Sequence, residues 1–117
     1  MDEGFEQAVL ARELLYPTGL PLPDIPVAIP HTEAGHCASP ALAVGILSHP
    51  VEFGEMGAEA GCTLQVQIVF VLALNDPKKQ VEWLQRLVLF FQKPGLLAQL
   101  KQSPDPASAA ELLRAHL

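Results

Sequence analysis

The chain has 117 residues, half of them hydrophobic and only 17% charged. That suits one domain with a real apolar core and excludes a disordered chain. A formal net charge of −6 argues against the clustered basic surface that nucleic-acid binding needs, and is compatible with a basic protein partner or simply with a solvated acidic surface.

Residues 1–7 (MDEGFEQ) are acidic and polar, unlike a secretory leader. The most apolar window, Val66–Leu74, is too short to cross a bilayer. Two cysteines, Cys37 and Cys62, make neither a disulfide framework nor a zinc pattern. Both fall in or beside apolar stretches, where packed thiols are common. The expectation is a soluble, cytoplasmic protein with no nucleic-acid partner and no direct membrane insertion.

In chain order, residues 3–15 (EGFEQAVLARELL) read as a helix. Phe5, Val9 and Leu10 fall at helical spacing, Ala8 and Leu14 widen the stripe, and Pro17 ends it. Residues 16–26 (YPTGLPLPDIP) carry four prolines and a glycine and read as a stiff loop. Val27–Ile29 is a short strand closed by Pro30. After a loop over 30–40, the continuous apolar run 42–47 (LAVGIL) predicts a strand covered on both faces. Residues 49–63 read as a loop with a short strand at Val51–Phe53. Val66–Leu74 is β-branched, aromatic and continuous, which places it in the middle of a sheet.

Asp76 then caps a helix that Pro77 opens, with Val81, Leu84, Leu87, Val88 and Phe91 at 3.6-residue spacing through Gln92. Pro94 and Gly95 break it. Leu96–Lys101 forms a short helix, and Pro106 starts a last one through Ala115. Apolar strands alternating with amphipathic helices define a layered α/β domain. Three strands make a thin sheet, and the first helix begins almost at Met1. Either strands lie within the loops or an N-terminal piece is lacking.

The segment 27–37 (VAIPHTEAGHC) holds the most chemistry. His31 follows a strand end, where α/β sheets gather their ligand sites, and neutral imidazole is a good nucleophile. Pro30 stiffens the backbone entering it. Thr32 adds a hydroxyl and an N–H directly after. Three readings stand on the residues alone: a loop histidine without a role, a metal ligand with His36 (joined by Glu33 or Cys37), and a nucleophilic, phospho-accepting histidine. The five-residue spacing of His31 and His36 is not that of a helical zinc pair.

Pro26–His31 (PVAIPH) with Thr32 resembles the active-site signature of the enzyme IIA domains of the bacterial sugar phosphotransferase system, in the fructose–mannitol superfamily. Residues 11–18 (ARELLYPT) are similar to the segment that precedes that signature. FGEMG, an apolar strand ending in LAL, the QVEWLQRLVLFF helix and the closing LLAQLKQSPDPASAAELL follow in the family's order. The proline-rich approach GLPLPDIPVAIPHTEAGH looks most like the galactitol-type branch.

The resemblance implies a single domain over 1–117 with a mixed β-sheet flanked by helices, of the phosphotransferase IIA type-2 fold. It implies a phosphocarrier: His31 takes a phosphoryl group from the carrier protein HPr and passes it to a cysteine of an enzyme IIB component, and through it to the membrane IIC permease. No cofactor and no metal are implied. Arg12 matches the family's motif arginine and would balance phosphate charge; its plain alternative is a solvated arginine near a helix end. Thr18 and Thr32 are further phosphate-supporting candidates, each equally a turn or capping residue.

The chain departs from the family pattern in two places. Relatives of the mannitol type carry a second histidine at the start of the helix after the central strand, where Lys78 and Lys79 stand here. Either a lysine or His36 takes its place, or His36 is a polar loop residue. Family members also begin with a further strand and helix, so the domain reads as N-terminally shortened, with an edge or face that self-association would cover. His49 and His116 read as exposed and without a role, and Trp83 as partial core or the edge of a docking face. A regulatory relative and an inactive interaction domain are the alternative functions.

Overall fold

The structure is a computed structural model and describes residues 3–22, 25–31, 41–57 and 61–117. Its elements are α1 (Glu3–Leu15), β1 (Gly19–Leu20), β2 (Val27–Ala28), β3 (Ala41–Gly54), β4 (Thr63–Ala73), α2 (Pro77–Gln92), α3 (Leu96–Lys101) and α4 (Pro106–His116). The sheet order is β1-β2-β4-β3. β2 runs parallel to β4, while β1 and β3 are antiparallel to their neighbours, so the sheet is mixed, and helices flank it. Among the described residues, no helix is long and apolar enough to cross a membrane.

β4 lies between β2 and β3, as its apolar run predicts, but its two faces differ. Val66, Ile68, Phe70 and Leu72 are buried. Ile68 and Phe70 join Val27 and Ile29 beneath Leu87, Phe90 and Phe91 of α2, Leu96, Leu97 and Leu100 of α3, and Ala109 of α4. The three phenylalanines meet edge-on or tilted, with ring centroids 5.0 to 6.4 Å apart, a geometry favoured by the ring quadrupole. The other face holds Val71 and Ala73 against Val9 of α1.

That asymmetry corrects three expectations. Residues 42–47 are not covered on both faces: Leu42, Val44 and Ile46 pack toward the helices, while Ala43 and Gly45 are exposed. The α2 stripe is rotated, so that Val81 is 57% and Val88 42% exposed while Phe90 is fully buried. On α1, Val9 alone of the predicted Val9, Leu10 and Leu14 is buried, and Leu14 is 86% exposed. Each helix presents more apolar surface than the sheet can cover. Packing, not periodicity, selects the buried subset.

The predicted loops also contain strand. β3 does not stop at Leu47. It resumes register with β4 at Val51↔Val66 and runs to Gly54↔Thr63, with 47–50 bulged opposite the single residue Gln67. Pro50 falls inside this bulge, where a missing N–H costs no ladder bond. Lys101 Nζ donates to the Leu47 carbonyl there. Within the proline-rich loop, Gly19 and Leu20 pair with Ala28 and Val27. A strand in a loop thus supplies part of the sheet. Cys62 is exposed rather than packed, because it sits ahead of the apolar run of β4, in the turn that enters it.

The predicted cap holds: Asp76 Oδ1 accepts from the Lys78 N–H at 2.9 Å, and Pro77 and Pro106 open their helices as expected. Asp105 adds a second cap, its Oδ1 accepting from the Ser108 N–H at 2.8 Å.

Candidate functional site

β2 does not end at Pro30 in its pairing. The Pro30 carbonyl accepts from the Leu72 N–H at 3.1 Å, and His31 forms a parallel bridge with Leu72. Proline removes a donor but keeps its acceptor, so the ladder carries the chain to His31 while the ring stiffens it. His31 thus sits at the C-terminal rim of the parallel β2–β4 pair, the end of an α/β sheet where ligand sites gather.

His31 is 8% exposed, and its Nδ1 lies 2.8 Å from the Ile29 carbonyl oxygen. A carbonyl only accepts, so Nδ1 carries the proton and donates. In the neutral ring Nε2 then holds the free lone pair. The backbone itself selects the tautomer.

His31 lines a cavity of about 550 Å³ together with Arg12, Thr18, Tyr16, Met56 and Leu84. α1 brings Arg12 to it, and α2 brings Leu84. The Arg12 guanidinium carbon stands 5.3 Å from the Tyr16 ring centroid, within cation–π range. Its Nε is buried with no hydrogen-bond partner among the described residues. A buried unpaired donor on a cation costs free energy unless an acceptor arrives. An oxyanion bound beside His31 is such an acceptor.

Thr18 is 2% exposed in the wall of the same cavity. Its N–H donates to Glu13 Oε1 at 2.7 Å, and its hydroxyl donates to Glu13 Oε2 at 2.8 Å, with Oε1 at 3.1 Å. The single hydroxyl proton is therefore directed at Glu13. Thr32 and His36, with Glu33 and Cys37, lie outside the described residues. Lys78 and Lys79 are exposed on α2 and do not line this cavity. A larger hollow of about 650 Å³ holds Arg86, Lys93 and His116. Its cations are already engaged, Arg86 with Glu82 at 3.1 Å and Lys93 Nζ with the His116 carbonyl at 2.9 Å. The smaller cavity, where the arginine Nε has no partner among the described residues and the histidine is oriented, is the chemically poised one.

Glu13, Tyr16 and Met56 have no role in the sequence reading, and Leu84 figures there only in the apolar stripe of α2. Glu13 and Tyr16 lie within the quoted ARELLYPT segment and Met56 within FGEMG, so the motifs held them without showing what they touch.

Fold and site together define an α/β domain that presents one oriented histidine and one arginine at the rim of a mixed sheet. Residues 1–116 match the family model "Phosphoenolpyruvate-dependent sugar phosphotransferase system, EIIA 2", and the chain belongs to that family. It is 32% identical over 99 residues to the galactitol-specific EIIA component of the PTS system of Escherichia coli K12, and equally to that of strain O157:H7. The match covers 85% of this chain and 65% of the relative's length. A crystal structure described as a PTS IIA domain from Streptococcus pyogenes shares the fold, with a TM-score of 0.72 at 21% identity, over 98% of this chain and 72% of that one.

Proposed function

We propose that this chain is a phosphocarrier of the sugar phosphotransferase system, with His31 as the acceptor, serving uptake of a galactitol-like sugar alcohol at the cytoplasmic side of the membrane. Membership of the EIIA 2 family and the names of the galactitol-specific relatives support the class and the substrate. The observation that carries the assignment to His31 is the Nδ1–H bond to Ile29, which in the neutral ring leaves the lone pair on Nε2, on a residue that lines the same cavity as Arg12.

In the proposed reaction the Nε2 lone pair attacks the phosphorus of the phosphohistidine on HPr. The new N–P bond forms as the donor's N–P bond breaks, and that electron pair returns to the donor imidazole. A cysteine thiolate of the IIB component then attacks the same phosphorus, and the His31 N–P bond breaks with its pair returned to Nε2. Arg12 balances the equatorial oxygen charge in both steps, which is positioning and electrostatic work. Thr32 and His36 remain proposed phosphate neighbours, and Thr18 forms part of the wall. IIB hands the group on to the sugar carried by the IIC permease.

Enzyme I, HPr and labelled phosphoenolpyruvate test this. The chain is expected to take up one acid-labile phosphoryl group, mapped to His31 by mass spectrometry, and to lose it to a IIB component. His31→Gln and His31→Ala are expected to take up none. Label at another residue, or undiminished label in folded His31→Gln, overturns the assignment.

A further inference from the structure

A glutamate next in sequence to the arginine of an anion site is a natural competitor for it. Glu13 follows Arg12 directly, yet among the described residues Arg12 forms no ion pair, and its Nε is unpaired. Both carboxylate oxygens of Glu13 are taken by Thr18 instead. Thr18 leads into β1, whose Gly19 pairs with Ala28 of β2, the strand that leads on to the His31 bridge with Leu72. The Glu13–Thr18 contact is therefore a tie between the element that carries Arg12 and the one that carries His31.

Among the described residues, the rest of α1 offers little other anchorage. Val9 packs against Val71 and Ala73, whereas Leu10, Leu14 and Leu15 point away exposed. Among the described residues, the main core contains none of α1. We infer that Glu13 is a positioning residue for the phosphoryl site: clamped by Thr18, it fastens the C-terminal turn of α1 so that Arg12 is held at the cavity it lines with His31, and it keeps its own carboxylate off the guanidinium. This rests on the proposed phospho-acceptor role of His31.

The test measures the rate of His31 phosphorylation by phosphoramidate, a small donor that needs no protein docking. Nε2 attacks its phosphorus, the P–N bond breaks, and ammonia leaves with a proton from water. Glu13→Ala is expected to slow the reaction about tenfold, the scale of a sub-ångström misplacement. Thr18→Val is expected to slow it in the same sense, and Thr18→Ser, which keeps the hydroxyl, to restore it. In an Arg12→Ala background, Glu13→Ala is expected to cost less than about twofold, because the group it positions is gone. Thermal melting confirms that each variant is folded. A Glu13→Ala variant as fast as the parent overturns the inference, as does an equal loss with and without Arg12. If the parent itself takes no phosphoryl group at His31, the proposed function falls and the inference falls with it.

Discussion

His31 Nδ1 lies 2.8 Å from the carbonyl oxygen of Ile29, two residues back along its own chain. The bond commits Nδ1 as donor and, among the described residues, orients the ring without a second side chain. The phosphoryl group is therefore expected on Nε2. Proton–nitrogen correlation spectra of the phosphorylated chain, labelled with ¹⁵N at histidine, distinguish the two isomers. A phosphorus coupling at Nδ1 contradicts the tautomer argument, whichever donor supplied the group.

Arg12 stands in the opposite relation to its surroundings, since its buried Nε has no acceptor among the described residues. A group held for an incoming anion contributes little to the resting fold. Arg12→Met keeps much of the side-chain length and removes the unpaired donor. It is expected to destabilise by less than about 0.5 kcal/mol. Phosphoryl transfer from HPr is expected to fall about a hundredfold, and Arg12→Lys to recover only part of it, because a point charge does not reproduce the guanidinium fork. Urea denaturation and rapid-quench labelling report the two quantities separately.

The legible part of this protein lies in backbone punctuation and in one motif. Prolines and cap residues marked α1, α2, α3 and α4 within a residue or two, because a ring that cannot donate or a carboxylate that accepts an N–H acts locally. His31 and Arg12 were legible through family-like segments, and the structure brings both to one cavity. Side choice was not legible. Leu87 and Val88 are adjacent and both apolar, and only the crossing of α2 over the sheet decides which is buried. Ser48, His49 and Pro50 look like a chain break, yet β3 passes through them by a bulge, because resumed pairing from Val51 to Gly54 outweighs one local irregularity. Glu13 was invisible because its partner lies beyond Pro17, where neither helical spacing nor strand alternation relates the two.

The side choice on α2 has a direct consequence for stability. Leu87 is fully buried among the phenylalanine cluster and its neighbours, while Val88 is 42% exposed. Leu87→Ala is expected to cost about 2 to 5 kcal/mol through lost transfer energy and a residual cavity. Val88→Ala is expected to cost about 0.5 kcal/mol or less. Equal losses by chemical denaturation contradict this burial of the helix.

Asp105 gives the stability a titratable contribution. The Ser108 backbone N–H, and then its side chain, hold the carboxyl below its ordinary value of 3.8. A folded-state value below the unfolded one means that the cap's contribution is complete above the unfolded value and is lost as pH falls through the folded one. Asp105 is fully exposed, so the effect is screened by salt. The parent is expected to be more stable than Asp105→Ala near neutral pH, and the gap to narrow below about pH 4. Paired melting curves across that range check it, and a gap that widens toward acid contradicts the assignment.

Gly19 joins the fold to the site through lack of a side chain. A Cβ there would sit 2.5 Å from the Gly54 carbonyl oxygen, and one on Gly54 would sit 2.8 Å from the Pro17 ring. Backbone and a rigid ring offer no flexible end to move aside, so Pro17, Gly19 and Gly54 are stacked at the closest approach of the proline-rich loop to β3. Gly19→Ala is expected to cost about 1 to 3 kcal/mol by overpacking. It is also expected to displace its neighbour Thr18, and with it the tie to Glu13, so phosphorylation of His31 should slow beyond what the fraction unfolded explains. Gly45 is the control: a Cβ there meets nothing within 4 Å. Gly45→Ala is expected to leave both stability and labelling rate near those of the parent, and a comparable loss at both glycines contradicts the close-approach argument.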